Sequence, residues 1–250
     1  KYKNLLPIRN QKKTLSNKEY KVYSQNGEDG LILYILSRIG IHSNTFIEFG
    51  AGGFSSNTEN LIVNFGWSGL LIDGDGDQLD LLKKRLFSNN MSKGKVKIVK
   101  SWITKDNINK TFEDNGMSGE VDLLSIDIDG NDYWVWESIN VVQPRLVVIE
   151  YNPSFGDEDS VSVKYNDSFN RYDYHASGWF HGASIKALEK LADTKGYSLI
   201  CCDSMGVNAF FIRNDLMKNG FVKLNAREAF YSHKRRDMIM SNKEQYEKLV

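Results

Sequence analysis

The sequence predicts an α/β domain with a doubly wound, mostly parallel sheet, and two observations lead to this prediction. Short apolar runs alternate with segments of helical spacing from about residue 30 to residue 213, as in strands joined by crossover helices. One run, FIEFGAGG at residues 46–53, passes from a buried strand into a glycine turn, and the next ends in Asp73, 25 positions after Glu48. We expect a ligand site at this turn, because ligands of such sheets lie at the carboxyl ends of the strands.

The elements follow in order after a polar turn at residues 24–29. Apolar residues at helical spacing predict helices at residues 30–39, 58–64, 79–87, 134–139 and 184–195. Apolar runs predict strands at residues 45–49, 69–73, 96–100, 121–126, 146–150, 198–203 and 208–213. The last two strands are expected to form an antiparallel pair. The polar segment 154–182 is too long for a plain connection, and its length predicts a lid or a substrate-binding loop.

The chain of 250 residues has no Pro-, Gly- or Ser-rich linker, which predicts one domain. We place the domain at residues 24–213, with an insert at residues 154–182. A basic extension precedes it at residues 1–23, and another follows it at residues 214–250. Residues 1–23 hold seven basic residues and one acidic residue. Residues 24–212 hold 16 basic and 26 acidic residues, and residues 213–250 hold nine basic and five acidic residues. The acidic centre suits a cationic ligand. The basic ends either bind an anionic substrate or are solvated, and without an aromatic nucleic-acid motif we expect no nucleic acid as partner.

The sequence also bears on the cellular compartment. No run approaches the roughly 20 apolar residues of a membrane helix, and the first 23 residues lack the apolar core of a signal peptide, although the chain does not begin with Met. Cys201 and Cys202 are adjacent in a predicted strand and should point to opposite faces, so neither a disulfide between them nor a zinc site is expected. A soluble, cytoplasmic protein is the expectation.

The glycine turn favours one kind of nucleotide-like ligand. Ser55 stands where the dinucleotide fingerprint requires its third glycine, and no phosphate loop ending in Gly-Lys-Ser/Thr occurs. A ligand with adenosine and a short charged tail remains, which describes S-adenosylmethionine. Glu48 suits a cationic or amide group of such a ligand, and Asp73 suits its two ribose hydroxyls. The alternative is a tight strand-to-helix connection without a ligand.

The order of motifs resembles the class I S-adenosylmethionine-dependent methyltransferases, and within them the FkbM-like family, over roughly residues 20–213. The motifs that carry the resemblance are SQNGED at 24–29, EFGAGG at 48–53, SNT at 56–58, GWSGLLID at 66–73, DIDG at 127–130 and GAS at 182–184. The resemblance implies a Rossmann-like, seven-stranded sheet with an antiparallel terminal strand. Asp73-Gly74 stands where the family usually has Glu-Pro, and Ile128-Asp129-Gly130 where Val-Glu-Gly is more typical, which leaves subfamily and substrate open.

Residues at the predicted strand ends, together with the turn before the first helix, are the candidate cofactor ligands. They are Gln25, Glu48, Gly50, Ala51, Gly52, Asn57, Asp73, Gly74, Ser101, Trp102, Ile103 and Asp127. Gln25 is chosen because the resemblance implies that its turn closes over the cofactor. Ser101 and the backbone of Ile103 are placed to bind adenine, whereas Trp102 either lines the adenine pocket or packs in the core.

Carboxylates at two adjacent strand ends predict a metal site. Asp127 and Glu150 offer the hard oxygen ligands that Mg²⁺ or Mn²⁺ prefers, and such a metal would lower the pKa of an acceptor hydroxyl. In the alternative interpretation, Asp127 positions the substrate or the methionine amino group and Asp129 caps the next helix.

The insert supplies two candidate general bases. His175 and His181 lie among aromatic residues that suit stacking on a sugar or a nucleoside, and either histidine would remove a hydroxyl proton. The candidate catalytic residues are therefore Asp127, His175 and His181. In the alternative, the histidines are solvated and the aromatic residues pack the insert onto the domain.

The leading interpretation is a methyltransferase that methylates a hydroxyl of a small molecule, such as a sugar or a nucleotide-linked sugar. N-methylation of a small molecule is a close alternative, and a non-catalytic scaffold that keeps the cofactor fold is a distant one. A nicotinamide oxidoreductase would have to bind pyrophosphate at the incomplete glycine turn. The aromatic and basic segment 221–250 either docks on a second subunit, which would make a homo-oligomer, or folds back on its own chain.

Overall fold

A computed structural model of the chain describes residues 10–87, 96–233 and 245–249. Its helices are α1 (Gln11–Ser16), α2 (Glu28–Ile39), α3 (Glu59–Phe65), α4 (Gly76–Phe87), α5 (Ile108–Asp114), α6 (Asp132–Ser138), α7 (Arg171–Tyr174), α8 (Ile185–Lys195) and α9 (Ala226–Ala229). Its strands are β1 (Thr45–Phe49), β2 (Ser68–Asp73), β3 (Val96–Lys100), β4 (Gly119–Ile126), β5 (Val142–Glu150), β6 (Val161–Val163), β7 (Tyr197–Cys202), β8 (Asn208–Arg213) and β9 (Tyr246–Lys248).

Seven strands form one sheet in the order β3-β2-β1-β4-β5-β8-β7. Strands β1 to β5 pair in parallel, and β8 runs antiparallel to both β5 and β7. The predicted Rossmann-like fold with an antiparallel terminal strand is confirmed. Strands β1 and β4 are central neighbours, so the chain segments that leave Phe49 and Ile126 start side by side at the carboxyl edge of the sheet.

The sheet is covered on both faces because successive strand residues point to opposite sides. In β5, Val147 and Ile149 join a core cluster with α5, α6 and α8, while Leu146 and Val148 join a second cluster with α2, α3 and α4. The adjacent cysteines follow the same rule, since Cys202 lies in the first cluster and Cys201 in the second. The two cores fix the strand ends that surround the site.

Parts of both predicted extensions pack on the domain. The side chain of Gln11 donates to the carbonyls of Ile200 and Val222 at 2.8 and 2.7 Å and accepts from the Val222 amide at 2.7 Å. Phe221 and α9 also reach the cores, and β9 pairs with β6 of the insert. The described part of the C-terminal segment therefore folds back on its own chain, while residues 1–9 and 234–244 lie outside the described ranges. The division of the chain at residues 23 and 213 stays a prediction.

No helix in the described ranges is both long enough and apolar enough to span a membrane.

Candidate active site

The turn after β1 requires a glycine at its first position. Gly50 has a φ of +76°, and a Cβ atom built there would overlap the carbonyl oxygen of Asp127, which leaves the neighbouring strand. The Gly50 amide donates to the carbonyl of Ile72 at 3.0 Å, which ties the turn to β2 as well. Gly52 differs, because a Cβ there meets no atom within 4 Å. The turn thus brings three strand ends together and leaves open space in front of Gly52.

This space is a cavity of 430 Å³ at the carboxyl ends of the strands. Eleven of the twelve predicted cofactor residues line it: Gln25, Glu48, Gly50, Gly52, Asn57, Asp73, Gly74, Ser101, Trp102, Ile103 and Asp127. Ala51 is buried outside the wall, and its amide donates to the Ile72 carbonyl at 3.3 Å. Their contacts with a cofactor stay a prediction. The wall also contains residues that were not among the predicted cofactor ligands: Ser55, Ser56, Gln78, Ile128, Asp129, Asn131, Phe169 and Asn208.

Glu48 has an internal function in the turn. Its buried carboxylate accepts from the Ser56 hydroxyl at 2.6 Å, from the Asn57 amide at 2.9 Å and from the amide and hydroxyl of Thr58. Burial raises the pKa of Glu48, while these donors oppose the shift. Oε2 of Glu48 therefore accepts from Ser56 and Thr58, whereas Oε1 accepts only from the Asn57 amide. Glu48 also lines the cavity, so its predicted contact with a cationic group stays a prediction.

The end of β2 and the segment after β3 form the opposite wall. Asp73 accepts from the Asp75 amide at 2.7 Å, and burial raises its pKa. A Cβ at Gly74 would lie 2.7 Å from the ring of Trp102, so the indole packs on the glycine backbone. The indole N–H donates to the carbonyl of Asp167 at 2.6 Å, and 57% of the residue is exposed. Trp102 lines the cavity rather than packing in the core.

The segment after β4 carries a cluster of acids. Burial, and next the charge of Glu150, raise the pKa of Asp127 well above its ordinary value. No group in the described residues donates a hydrogen bond to the Asp127 side chain, so its carboxylate is available to a ligand. Asp132 accepts from the amides of Ile128 and Gly130 at 2.8 and 2.9 Å. Helix α6 has Asn131 as its N-cap, and Asp129 pairs with Arg171, so Asp129 is not the helix cap that the alternative interpretation proposed.

Phe169 of the insert lines the cavity, and other residues of segment 166–171 contact the cavity wall. Arg171 pairs with the half-exposed Asp129, and Asn131 donates to the carbonyl of Asn166 at 2.8 Å. Phe169 packs tightly on Gly130, where a Cβ would overlap its ring. The insert is therefore part of the cavity, as expected for a substrate-binding loop, although its role in binding stays a prediction.

The two candidate histidines lie outside the cavity wall. His175 bonds the Ser177 hydroxyl at 2.7 Å. His181 is fully buried, and its Nδ1 is 3.4 Å from Oε2 of Glu150. Glu150 and His181, with Asp129, each place one candidate metal-ligand atom within 4.8 Å of the others. Asp127 is not in this group, although the charge of Glu150 raises its pKa, and the predicted metal pair of Asp127 and Glu150 stays a prediction.

The buried acids predict that stability falls as pH rises. Burial raises the pKa of Asp203 to about 7 and that of Asp132 to about 6, from an ordinary value of 3.8. Between pH 4 and 7 the folded state therefore keeps protons that the unfolded state has lost, and the free energy of unfolding decreases across this window. We expect the melting temperature to drop by several degrees from pH 5 to pH 8. Asp203→Asn should reduce the drop, and a melting temperature independent of pH would contradict the assignment.

No family model matches the chain, and no curated protein matches it. Solved structures do match. A magnesium protoporphyrin IX methyltransferase from Synechocystis PCC 6803 with bound SAH is 10% identical, with a TM-score of 0.48 over 74% of this chain and 81% of its own. An S-adenosylmethionine-dependent methyltransferase from Clostridium acetobutylicum ATCC 824 is 10% identical, with a TM-score of 0.47 over 74% and 89%.

A third match is a putative sarcosine dimethylglycine methyltransferase from Galdieria sulphuraria, 13% identical, with a TM-score of 0.47 over 75% of this chain and 72% of its own. The strand order observed here is that of a Rossmann-like sheet, and β8 runs antiparallel to its two neighbours. At such low identities and TM-scores these matches do not determine the activity of this chain or its methyl acceptor, and both have to be inferred from its own residues.

Proposed function

We propose that the chain is an S-adenosylmethionine-dependent methyltransferase acting on a small molecule. The observation that carries the proposal is the cavity wall, in which the turn at Gly50 and Gly52 meets Asp73 at the end of the next strand. An adenosine with a short charged tail suits this combination, because the glycines leave room for the tail and a carboxylate accepts from ribose hydroxyls. Its FkbM-like assignment and cytoplasmic location stay predictions.

The remaining wall residues suit the other parts of the cofactor. Asp73 would accept from the two ribose hydroxyls. Ser101 and the backbone of Ile103 would bind the adenine edge, and the indole of Trp102 would contact its face. The open space in front of Gly52 would hold the amino acid tail.

Asp127 is the proposed general base. The bound cofactor supplies a methyl group on a sulfonium. Asp127 would take the proton of the acceptor hydroxyl as the acceptor oxygen bonds to that methyl carbon and the carbon–sulfur bond breaks, with its electrons going to sulfur. A carboxylate with a raised pKa is a better base near neutral pH than an ordinary one, and burial with neighbouring acids raises the pKa of Asp127. His175 and His181 stay alternative bases, which would require the insert to rearrange.

The charge of the wall bears on the acceptor. Glu48, Asp73, Asp127 and Asp129 line the cavity, and none of its described lining residues is Lys, Arg or His. An uncharged sugar hydroxyl is compatible with this wall, whereas a nucleotide-linked sugar would bring phosphates against carboxylates. The same acidity favours a second candidate, N-methylation of an amine. A homo-oligomer stays a prediction.

The described residues do not fit a divalent cation well in this conformation. Arg171 already pairs with Asp129, and His181 brings a nitrogen to a group in which Mg²⁺ would prefer oxygen. The predicted Mg²⁺ or Mn²⁺ at Asp127 and Glu150 is therefore kept as a hypothesis for the assay, and no step of the proposed reaction depends on it.

The test is methyl transfer from S-adenosylmethionine with a tritiated methyl group. The acceptors are methyl glycosides, a nucleotide sugar and a primary amine, each with Mg²⁺, Mn²⁺ or EDTA. We expect label on a methyl glycoside, at a rate that Asp127→Asn lowers at least 100-fold and EDTA does not change. Asp114→Asn, on the surface of α5, is the matched control.

Transfer to the amine alone would replace O-methylation by N-methylation. Loss of activity in EDTA would establish the metal. A folded protein that transfers label to none of these acceptors would favour the scaffold.

A further inference from the structure

The first residue of β8 contributes a buried polar group to the cavity. Asn208 pairs with Glu150 of β5, is 2% exposed and lines the wall. It lies more than 150 residues along the chain from the glycine turn and belongs to none of the recognised motifs.

The orientation of the Asn208 amide follows from its neighbours. Its Nδ2 donates to Oε1 of Glu28 at 3.0 Å. Glu28 is fully buried and also accepts from the backbone amide and side chain of Asn26, at 2.8 and 3.1 Å. A carboxylate only accepts hydrogen bonds, so the nitrogen of Asn208 has to face Glu28 and the oxygen has to face away from it. This fixes the assignment of the two amide atoms without ambiguity.

The oxygen on the other side has no donor. Oδ1 of Asn208 is buried, and no group in the described parts of the chain donates to it. A buried acceptor without a partner is costly, and this one belongs to a residue of a ligand cavity. A donor on a bound ligand that reached Oδ1 would remove this cost.

Nearby charges indicate what kind of donor. The side chain of Asn208 is bonded to Glu28, and its backbone amide donates to Asp203. Asp127 lies in the same wall. Glu48, the other acceptor for a cation, already accepts four hydrogen bonds from residues 56–58. A positively charged donor gains from these acids, and a neutral hydroxyl gains less.

We propose that Oδ1 of Asn208 accepts a hydrogen bond from the α-ammonium group of the cofactor's amino acid tail, and that Glu28 is the positioning residue that orients it. The inference rests on the proposed function, because it takes the tail of S-adenosylmethionine as the ligand. It assigns to β8 a contact that the sequence had assigned to Glu48.

The test compares two ligands in calorimetric titrations. S-adenosylhomocysteine carries the ammonium, whereas 5′-methylthioadenosine shares the adenosine and the sulfur but lacks the amino acid. Asn208→Leu is expected to weaken binding of S-adenosylhomocysteine roughly tenfold or more and to leave 5′-methylthioadenosine within about twofold. Glu28→Gln should give a smaller loss for S-adenosylhomocysteine only, because a glutamine no longer forces the orientation of Asn208.

The control is Asn109→Leu, which removes an asparagine that bonds the carbonyl of Ser138 outside the cavity; both affinities should stay unchanged. If Asn208→Leu does not fold, Asn208→Ser takes its place in the same comparison. An unchanged affinity for S-adenosylhomocysteine, or an equal loss for both ligands, would overturn the inference. Failure of the wild-type protein to bind either ligand would instead overturn the proposed function.

Discussion

Replacing Gly50 with alanine is expected to destabilise the protein by about 3–5 kcal/mol, at the upper end of single substitutions. Its φ of +76° strains a residue with a Cβ, and the added atom would overlap the carbonyl of Asp127. The overlap involves backbone on both sides, so relief requires β1 and β4 to move apart. Urea unfolding of the two proteins measures the difference.

Gly52→Ala is the matched control, because its Cβ meets no atom within 4 Å. The variant should unfold within about 1 kcal/mol of the wild type, yet bind S-adenosylhomocysteine more weakly, since the methyl group occupies the cavity. If Gly50→Ala were as stable as Gly52→Ala, the close approach of the two strand ends would be wrong.

Asp73→Ala is expected to weaken binding of S-adenosylhomocysteine by about 1.5–3 kcal/mol, or roughly 10- to 150-fold, as for loss of a charged hydrogen-bond acceptor. The reason is that the carboxylate at the end of β2 would accept from the ribose hydroxyls. Asp73→Asn keeps one acceptor oxygen, so its affinity for S-adenosylhomocysteine should lie between those of the wild type and Asp73→Ala. Titration calorimetry measures all three.

Asp75→Ala separates binding from folding. Asp75 is exposed and accepts from the Asp77 amide at the start of α4, so its loss should cost about 1 kcal/mol of stability and leave the affinity unchanged. If Asp73→Ala bound S-adenosylhomocysteine as tightly as the wild type, the proposed contact between Asp73 and the ribose would be wrong.

The fold was predictable where apolar runs are long and uniform. All seven strands of the main sheet were predicted, although β5 begins four residues earlier than predicted, at Val142, and β7 lies one residue earlier, at Tyr197–Cys202. Helix α5 was missed, since Ile108 and Phe112 are its only buried residues and give little periodicity. The pairing of β6 with β9 joins three-residue segments far apart in the chain, and no local pattern indicates such a pair.

The site was predictable where strand ends determine it. Turn residues such as Gly50 and strand-end acids such as Asp73 can be predicted from the sequence, because a parallel sheet brings them to one edge. Phe169 and Asn208 were missed because tertiary packing, and not local sequence, brings the insert and β8 to the cavity. The internal bonds of Glu48 were also not readable, because Ser56, Asn57 and Thr58 resembled a ligand-binding motif as much as a structural one.

Titration of the wild-type protein with S-adenosylhomocysteine, and with NAD in parallel, decides between the proposed cofactor and a dinucleotide. We expect one site per chain for S-adenosylhomocysteine, with a Kd in the micromolar range, or about −8 kcal/mol, and no comparable binding of NAD. A protein that melts cooperatively but gives no binding heat with S-adenosylhomocysteine, or that prefers NAD, would contradict the proposed cofactor.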